Sequence, residues 1–278
     1  MTDYVRPRDD RDAIALRAAH PDYLVLAGGT DLLVSAHHKA EPIGILDLAG
    51  RFAGISADAT TVRIGAGTTY RALAEARAIA TLIPILAEAA REIGALQIQN
   101  RATIAGNLAT SSPVGDGLPV LLALDATIHL ASVRGERTVP YHAFCTGYRK
   151  TALGADELIT AITIPRPAPG AYLAWRKVGT RRAQSISKVM AATCLEVRDG
   201  RIASARFGVG AVADRPIRAY AAEAAAVGQV PDAATGAAVA AALRASIKPI
   251  DDLRSTARYR LEIAGNLLAR FVENAGQR

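Results

Sequence analysis

Apolar residues recur along the first part of the chain with two different periods, and each period predicts a kind of element. Recurrence every three to four residues predicts helices at 10–19, 31–37, 69–80 and 83–93, the last with Pro84 in its first turn. Short runs rich in β-branched residues predict strands at 23–27, 43–48 and 60–67. Helices and strands therefore alternate here, as in an α/β unit.

Strand patterns dominate from residue 127 onward. A hairpin of 127–132 with 137–140 is expected around Arg134 and Gly135, followed by a strand at 157–165 that stops at Pro165. The run RPAPG at 166–170 combines residues that end regular structure, so we expect a domain boundary there.

Beyond that boundary the pattern is one of long alternating segments. Strands are expected at 171–179, 187–197 and 201–212, with a tight turn at Asp199–Gly200. Helices are expected at 219–227 and 231–245, and a last helix with one apolar stripe of Tyr259, Ile263, Leu267 and Phe271. The second domain is therefore predicted to be an antiparallel sheet covered by helices.

Length and composition limit the kind of protein. The 278 residues are 50% hydrophobic, enough for a sizeable core, but contain no run of about 18 uncharged apolar residues, so no membrane span is expected. The N-terminus is charged and lacks an apolar stretch, so no secretory signal is expected there. The two cysteines, Cys145 and Cys194, form no CxxC pair, which favours a reducing, cytoplasmic location.

The net charge of +7 raises the question of an acidic partner. Most basic residues are scattered, which is typical of a solvated surface. The clusters at 148–150 and 176–182 are not interleaved with aromatic residues, as a base-stacking surface would be. We therefore expect no nucleic-acid partner.

The segment AGGTDLL at 27–33 falls where a strand gives way to a helix. Gly28 and Gly29 lack a Cβ atom, so the backbone can turn sharply and approach a ligand, and the amides that follow suit a pyrophosphate. An ordinary tight turn capped by Thr30 or Asp31 is the alternative. A glycine pair alone does not decide between them.

The segment TIAGNLATSSPVGDG at 103–117 concentrates small polar residues and glycines. Hydroxyl and amide groups there suit a polyhydroxylated ligand, and Asp116 could accept from a ribityl or ribose hydroxyl. The alternative is a polar surface loop. Because apolar residues bracket the segment, we expect it to pass through the interior, where a bound cofactor would satisfy its polar groups.

The other motifs in the sequence give little evidence for a function. GVGAVA at 208–213 matches a dinucleotide fingerprint, but it lies inside an alternating strand and no helix follows it. No HExxH, cysteine cluster or paired-carboxylate pattern suggests a metal site. No G-x-S-x-G elbow supports a catalytic triad.

Several motifs, taken in order, resemble the FAD-binding (medium) subunit of the xanthine dehydrogenase/CO dehydrogenase family of molybdenum hydroxylases. They are LAGGTDLL, IGAGTTYRAL, TIAGNLATSSPVGDGLPVLLALDA, GYRKTAL, ELITAITIP, KVGTRRAQSIS and STARYR, spanning about residues 24–260. The resemblance implies an α+β chain with a two-lobed α/β FAD-binding domain of the PCMH/VAO type at 1–168, with lobes at about 1–55 and 56–168. A smaller domain with an antiparallel sheet and helices follows at 169–278.

The resemblance also implies where the flavin is bound. Residues 25–32 would wrap the pyrophosphate, 103–107 with Thr110 would form the second flavin-binding turn, and Asp116 would lie on the ribityl side. Ile159 and Lys177 match positions near the isoalloxazine ring. The implied cofactor-binding residues are Val25, Leu26, Ala27, Gly28, Gly29, Thr30, Asp31, Leu32, Thr103, Ile104, Ala105, Gly106, Asn107, Thr110, Asp116, Ile159 and Lys177. No catalytic or metal-binding residue is expected on this chain.

The family's activity is electron relay within a heterotrimer. A molybdopterin-binding large subunit oxidises the substrate, electrons pass through a [2Fe-2S] small subunit to non-covalent FAD, and an external acceptor removes them; a dimer of heterotrimers is expected. Members often carry an acidic residue at a flavin-facing position where this chain has Ser185 and Ile186, so the acceptor stays open. The alternative is a stand-alone FAD oxidoreductase of the same fold, similar to UDP-sugar enoyl reductases.

Overall fold

The computed structural model describes residues 2–34 and 41–277. A small parallel sheet opens the chain, with strands β1 (Asp3–Val5), β2 (Leu24–Leu26) and β3 (Gly44–Asp47) in the order β1-β3-β2. Helix α1 (Asp10–Ala19) makes the crossover between β1 and β2, which run parallel on either side of β3. The helix predicted at 31–37 falls partly on residues 35–40, outside the described residues.

A larger antiparallel sheet follows the small parallel one. Its strands are β4 (Ile55–Ala57), β5 (Thr61–Gly65), β6 (Thr127–Ser132), β7 (Gly135–Pro140) and β10 (Leu158–Pro165), in the order β4-β5-β10-β6-β7. Strands β8 (Cys145–Gly147) and β9 (Lys150–Thr151) make a separate short hairpin. The hairpin of β6 with β7 and the strand ending at Pro165 are as the sequence predicts.

Short helices cover this sheet. They are α2 (Tyr70–Glu75), α3 (Arg77–Leu82), α4 (Pro84–Glu92), α5 (Leu96–Gln99), α6 (Ile104–Thr110), α7 (Leu118–Ala123) and α8 (Tyr141–Phe144). Leu73 and Ile79 from the helices share one core with Ile128 and Ile162 from the strands, and all four are fully buried. Burying each such side chain contributes about 1.5–3 kcal/mol relative to exposing it.

The helix predicted at 69–80 is interrupted. Its backbone is extended at Ala76, with ψ at 120°, so that α2 and α3 are separate helices. On one straight helix, residues six apart lie on different faces, because each residue turns the chain by about 100°. The break allows both Leu73 and Ile79 to be fully buried, and no glycine or proline marks it in the sequence.

The C-terminal region has the predicted sheet and helices. Strands β11 (Tyr172–Val178), β12 (Val189–Arg198), β13 (Arg201–Gly210) and β14 (Ile217–Arg218) pair antiparallel in chain order. Helices α9 (Tyr220–Ala226), α10 (Ala233–Ser246) and α11 (Ala257–Ala275) follow and share a second core with the sheet. Asp199 and Gly200, both with positive φ, make the tight turn between β12 and β13.

The predicted apolar stripe of α11 is confirmed only in part. Phe271 is buried, and Ile263 and Leu267 pack partly buried against the second core. Tyr259 is 39% exposed, and the fully buried positions Ala264 and Leu268 each lie one residue beyond a predicted position. Small residues account for the difference, because Gly236 of α10 approaches the backbone of Ala269 closely: an added Cβ would lie 3.0 Å from its carbonyl oxygen. The buried face therefore follows alanine and glycine positions as much as large apolar ones.

Packing of α7 against the C-terminal sheet joins the two regions. A methyl group at Gly208 in β13 would overlap the carbonyl oxygen of Pro119 in α7. Only the first three residues of the fingerprint-like GVGAVA lie in this strand, which ends at Gly210 and not at 212 as expected; residues 211–213 are irregular and no helix follows them directly. The first glycine of the motif is required by the close approach to Pro119. A Cβ at Gly210 would meet the side chain of Met190, at 2.8 Å from its terminal carbon.

None of the helices in residues 2–34 and 41–277 is both long and apolar enough to cross a membrane. Cys145 and Cys194 are buried free thiols.

Candidate functional site

A cleft of about 1430 Å³ is lined by residues next to the small parallel sheet, by residues next to the larger antiparallel sheet and by residues of the C-terminal region. It is larger than the roughly 300–1,000 Å³ typical of drug-sized ligands, so it has room for an extended dinucleotide. The turn after β2, helix α6 and the residues around Ile159 form its walls. Ala211, Ile250 and Arg260 close it on the C-terminal side.

The turn after β2 presents unpaired backbone donors. The amide groups of Gly28, Gly29, Thr30 and Asp31 donate no hydrogen bond to any residue that the structure describes. All four residues line the cleft, and Gly29 has a φ of 77°, which glycine adopts without strain. Consecutive free amides of this kind form a concave site for an anion.

Gly28 is also fixed by packing. A Cβ atom there would overlap the carbonyl of Arg101, and it would lie 2.9 Å from the Cα atom of Ala102. The glycine turn therefore rests directly on the residues that precede α6. This contact brings the two segments singled out in the sequence onto one cleft.

Most of segment 104–110 is helical, where a turn is expected from the sequence. Thr103 is the N-cap of α6, and its hydroxyl accepts from the amide of Gly106 at 3.0 Å. The amides of Ile104 and Ala105 donate to the carbonyls of Thr68 and Ala66. The first amides of α6 are therefore satisfied within the protein, and its contribution to the cleft comes from small side chains and from Gly106, whose added Cβ would meet only the Thr103 hydroxyl.

The cleft brings together most of the residues named from the sequence. Those that line it are Val25, Ala27, Gly28, Gly29, Thr30, Asp31, Leu32, Thr103, Ala105, Gly106, Asn107, Thr110, Asp116 and Ile159. Leu26, Ile104 and Lys177 do not line it. Ile104 is fully buried in the core, and the Lys177 side chain is 2% exposed.

Asp116 and Lys177 are bound to each other. The Lys177 Nζ lies 2.6 Å from the Asp116 Oδ2 and also donates to the carbonyl of Glu92 at 3.2 Å. The Ser187 hydroxyl donates to Asp116 Oδ1, and the Trp175 indole donates to the Asp116 carbonyl. The C-terminal sheet thus holds the end of segment 103–117 through one buried carboxylate.

Burial sets the protonation properties of this region. It raises the pKa of Asp116 above its ordinary value, an effect that the bonds from Lys177 and Ser187 oppose. Burial also raises the pKa of Tyr70, whose hydroxyl donates to Asn107 Oδ1 at 2.9 Å. The neutral Tyr70 hydroxyl thereby orients the Asn107 amide, which lines the cleft.

Ile159 lies beside a β-bulge. The pairing of β10 with β6 shifts register between Ile159 and Ala161, and the carbonyl of Thr160 accepts from the amide of Ala66. A bulge of this kind re-aims a side chain next to a site. Ile159 is 6% exposed and lines the cleft.

Several cleft residues are absent from the set named on sequence grounds. Gly67 belongs to the GAG turn at 65–67, and its added Cβ would overlap the carbonyl of Arg51, so only glycine fits. Tyr148 lies in the GYRKTAL motif. Arg17 and Arg51 also line the cleft, and no motif in the sequence distinguishes them from the other arginines.

The positions that depart from the family's flavin-facing pattern do lie at the cleft. Ser185 and Ile186 line it, and Ile186 is 46% exposed. The Ser185 hydroxyl accepts from the amide of Thr180 at 3.1 Å. This wall carries a hydroxyl and an aliphatic group at the positions where the resemblance leads one to expect a carboxylate. Among the described residues there is no grouping of histidine, cysteine and carboxylate side chains suited to a metal ion.

Two family models match the chain. Residues 1–167 match the FAD binding domain in molybdopterin dehydrogenase, and residues 174–275 match the CO dehydrogenase flavoprotein C-terminal domain. Together they span most of the sequence.

Known proteins match over almost the full length. The chain is 33% identical to the nicotine 6-hydroxylase medium subunit of Paenarthrobacter nicotinovorans, covering 99% of this chain and 97% of that one. It is 34% identical to the carbon monoxide dehydrogenase medium chain of Afipia carboxidovorans, with the same coverage. Its structure is similar to a chain of the reconstituted CO dehydrogenase from Oligotropha carboxidovorans, with a TM-score of 0.95 and 33% identity over 100% of this chain and 98% of that one.

The fold, the cleft with its glycine turn and these matches agree along the whole chain. The protein belongs to the FAD-binding medium subunits of the xanthine dehydrogenase/CO dehydrogenase family of molybdenum hydroxylases.

Proposed function

We propose that the chain is the FAD subunit of a heterotrimeric molybdenum hydroxylase and that it relays electrons from the [2Fe-2S] clusters of a partner chain through FAD to an external acceptor. Several relatives are named as medium subunits or medium chains of dehydrogenases and hydroxylases, which supports assembly with other chains. A molybdopterin-binding large subunit and an iron–sulfur small subunit would be the partners, in a dimer of heterotrimers. The buried free thiols favour a cytoplasmic location.

The observation that carries this proposal is the row of unpaired amides at residues 28–31 on the wall of the large cleft. Buried or partly buried backbone donors require a partner, and a diphosphate supplies several acceptor oxygens with negative charge. The residues present therefore fit FAD. No cysteine or histidine lies in either glycine-containing segment, so we infer that the flavin is held without a covalent bond.

The remaining contacts follow the course of the cleft. We assign residues 25–32 to the diphosphate, and residues 103–107 with Thr110 to the adjoining part of the flavin. A carboxylate has about four acceptor positions, so Asp116 can accept from a ribityl hydroxyl while it binds Lys177 and Ser187. Ile159 would contact the isoalloxazine ring, and Lys177 would act beside the ring by orienting Asp116. The division into domains at 1–168 and 169–278, with lobes at about 1–55 and 56–168, belongs to the same proposal.

Bound FAD supplies a redox centre that exchanges electrons one or two at a time. The protein's own residues bind and position the cofactor. The free amides stabilise the diphosphate charge, and the apolar wall at Ile159 excludes water from the ring. The Asp116–Lys177 pair is a fixed polar anchor. Substrate oxidation would take place on the large subunit, since the cleft residues assigned here all serve flavin binding.

Subunit composition and electron flow test the proposal together. A tagged chain purified from its native source should bring a larger and a smaller chain with it, together with molybdenum, iron and releasable FAD. Rapid mixing of that complex with its substrate should reduce the flavin after the iron–sulfur centres. A flavin that stays oxidised during full turnover would exclude this chain as the exit for electrons, and a chain that purifies alone with full activity would favour a stand-alone oxidoreductase.

A further inference from the structure

Two arginines line the cleft without a carboxylate partner. Arg17 lies on α1, and Arg51 lies in the loop after β3; both are only partly exposed. Arg260, which is buried at the other end of the cleft, is paired with Asp252 at 2.8 Å. Neither Arg17 nor Arg51 forms an ion pair with any carboxylate of residues 2–34 and 41–277.

Each of these guanidinium groups also has unused hydrogen-bonding capacity. The Nε atoms of Arg17 and Arg51 are buried and have no partner among the described residues. Arg17 donates one bond, to the carbonyl of Tyr23, and Arg51 donates one, to the carbonyl of Arg8. Since a guanidinium carries five donors, most of the capacity of each group remains for a ligand.

The partial burial of Arg17 favours the approach of an anion. Burial lowers the pKa of Arg17, and attraction from Asp156 and Asp22 opposes this effect only in part. A partly buried cation is costly unless an opposite charge approaches it. An anionic ligand in the cleft would provide that charge.

Hydrogen bonds place the two residues at opposite ends of β2. The Arg17 guanidinium donates to the carbonyl of Tyr23, the residue before β2 begins. The backbone amide of Arg51 donates to the carbonyl of Leu48, whose own amide donates to the carbonyl of Leu26, so Arg51 lies beside the end of β2 that leads into the glycine turn. At about 3.3 Å per residue, the stretch from Tyr23 to Gly28 covers roughly 16 Å at most, the length scale of a nucleotide rather than of a single phosphate.

We propose that Arg17 and Arg51 bind the adenosine diphosphate half of FAD, with Arg51 near the phosphates and Arg17 toward the adenosine, so that the cleft selects FAD over FMN. The inference rests on the proposed FAD site. It adds two side chains, neither of which belongs to a sequence motif, to the backbone amides that are assigned to the diphosphate. Arginine suits this role because its planar donors match phosphate oxygens and its flat face stacks on an aromatic ring.

Flavin binding to the full-length apoprotein tests the inference. Fluorescence titration should give tighter binding of FAD than of FMN to the wild type, and ADP should compete with FAD. In Arg17→Gln and in Arg51→Gln, FAD affinity should fall roughly 10- to 100-fold, as expected for the loss of a hydrogen bond to a charged group, while FMN affinity stays within about 2-fold. In the double variant ADP should no longer compete.

Arg11→Gln is the matched control, because Arg11 lies on the same helix, is exposed and does not line the cleft. It should leave both affinities unchanged. Retained FMN binding shows that a variant is folded. A variant that loses both flavins is replaced by the corresponding lysine substitution, which should keep FMN binding and part of the preference for FAD over FMN. Equal affinity of the wild type for FAD and FMN, or an unchanged FAD/FMN ratio in the variants, would overturn this inference alone. No flavin binding by the wild type would overturn the proposed function instead.

Discussion

Gly28 and Gly106 both line the cleft, yet an added methyl group would meet different surroundings at the two positions. At Gly28 it would overlap the carbonyl of Arg101, which is backbone and cannot rotate away. At Gly106 it would meet only the Thr103 hydroxyl, at 3.0 Å, and would otherwise face the cleft. Alanine substitution therefore separates a glycine required by packing from one available to a ligand.

We expect Gly28→Ala to destabilise the apoprotein and to weaken FAD binding. Forcing an extra methyl group into a packed contact typically costs about 1–3 kcal/mol. At roughly 2–4 °C per kcal/mol for a chain of this size class, the melting temperature should fall by about 2–12 °C. FAD should bind less tightly because the amides at 28–31 lose their alignment.

We expect Gly106→Ala to leave stability intact. Position 106 is helical, where alanine is favoured over glycine by up to about 1 kcal/mol, so the melting temperature of the apoprotein should be unchanged or slightly higher. If the flavin approaches this backbone closely, FAD affinity should still fall at least about 10-fold, since even a small steric shift costs on the order of 1.4 kcal/mol.

Thermal unfolding of the apoprotein by circular dichroism and FAD titration of the same samples measure both effects. A normal melting temperature in Gly28→Ala would show that the contact with Arg101 does not constrain the turn. Wild-type FAD affinity in Gly106→Ala would show that the cofactor does not lie against α6. Either result refutes the corresponding half of the reasoning.

Three further substitutions test the packing and charges around the cleft. Lys177→Met should lower the free energy of unfolding by about 3–5 kcal/mol because Asp116 is left buried without its cation. Adding Asp116→Asn should recover part of that loss in urea unfolding, and additive effects of the two substitutions would contradict the pairing. Gly208→Ala should lower the urea midpoint through its overlap with α7 but leave FAD affinity per folded molecule unchanged; a selective loss of FAD would assign the fingerprint-like motif to the cofactor. The Arg137 side chain lowers the pKa of Glu157 below its ordinary value of 4.5. The pair therefore stabilises the fold above that value, and this stabilisation is lost as the pH falls through the lowered pKa. Arg137→Gln should flatten the loss of stability between about pH 5 and 3, and an unchanged slope would exclude the pair as the cause of that loss.

The sequence predicts the fold well where local patterns act alone. The strands β10, β12 and β13 follow from alternating residues and from the turn at Asp199–Gly200, because strand pairing depends on side-chain alternation. The break at Ala76 and the buried face of α11 could not be predicted in this way. Both depend on which neighbouring surface each helix meets, and that surface is formed by residues distant in sequence.

The same division applies to the site. Its glycine turn and polar segment are candidates on composition, which leaves an ordinary turn and a surface loop open, and it is the family resemblance that assigns both to the cofactor. The ion pair of Asp116 with Lys177 joins residues 61 positions apart, so no local pattern reveals it. Arg17 and Arg51 resemble any other arginine until their unpaired Nε atoms and the cleft are seen together.

These long-range contacts make the C-terminal domain part of the proposed flavin site, in addition to the residues with which it lines one end of the cleft. Asp116 receives bonds from Lys177, Ser187 and Trp175, all of which lie in that domain. Without these bonds the carboxylate would lose its cation, and segment 103–117 would lose its fixed end. The two glycine-containing segments line the cleft, but they do not shape it alone. They are positioned relative to each other by the packing at Gly28, and the end of segment 103–117 is held by a sheet that begins more than fifty residues later.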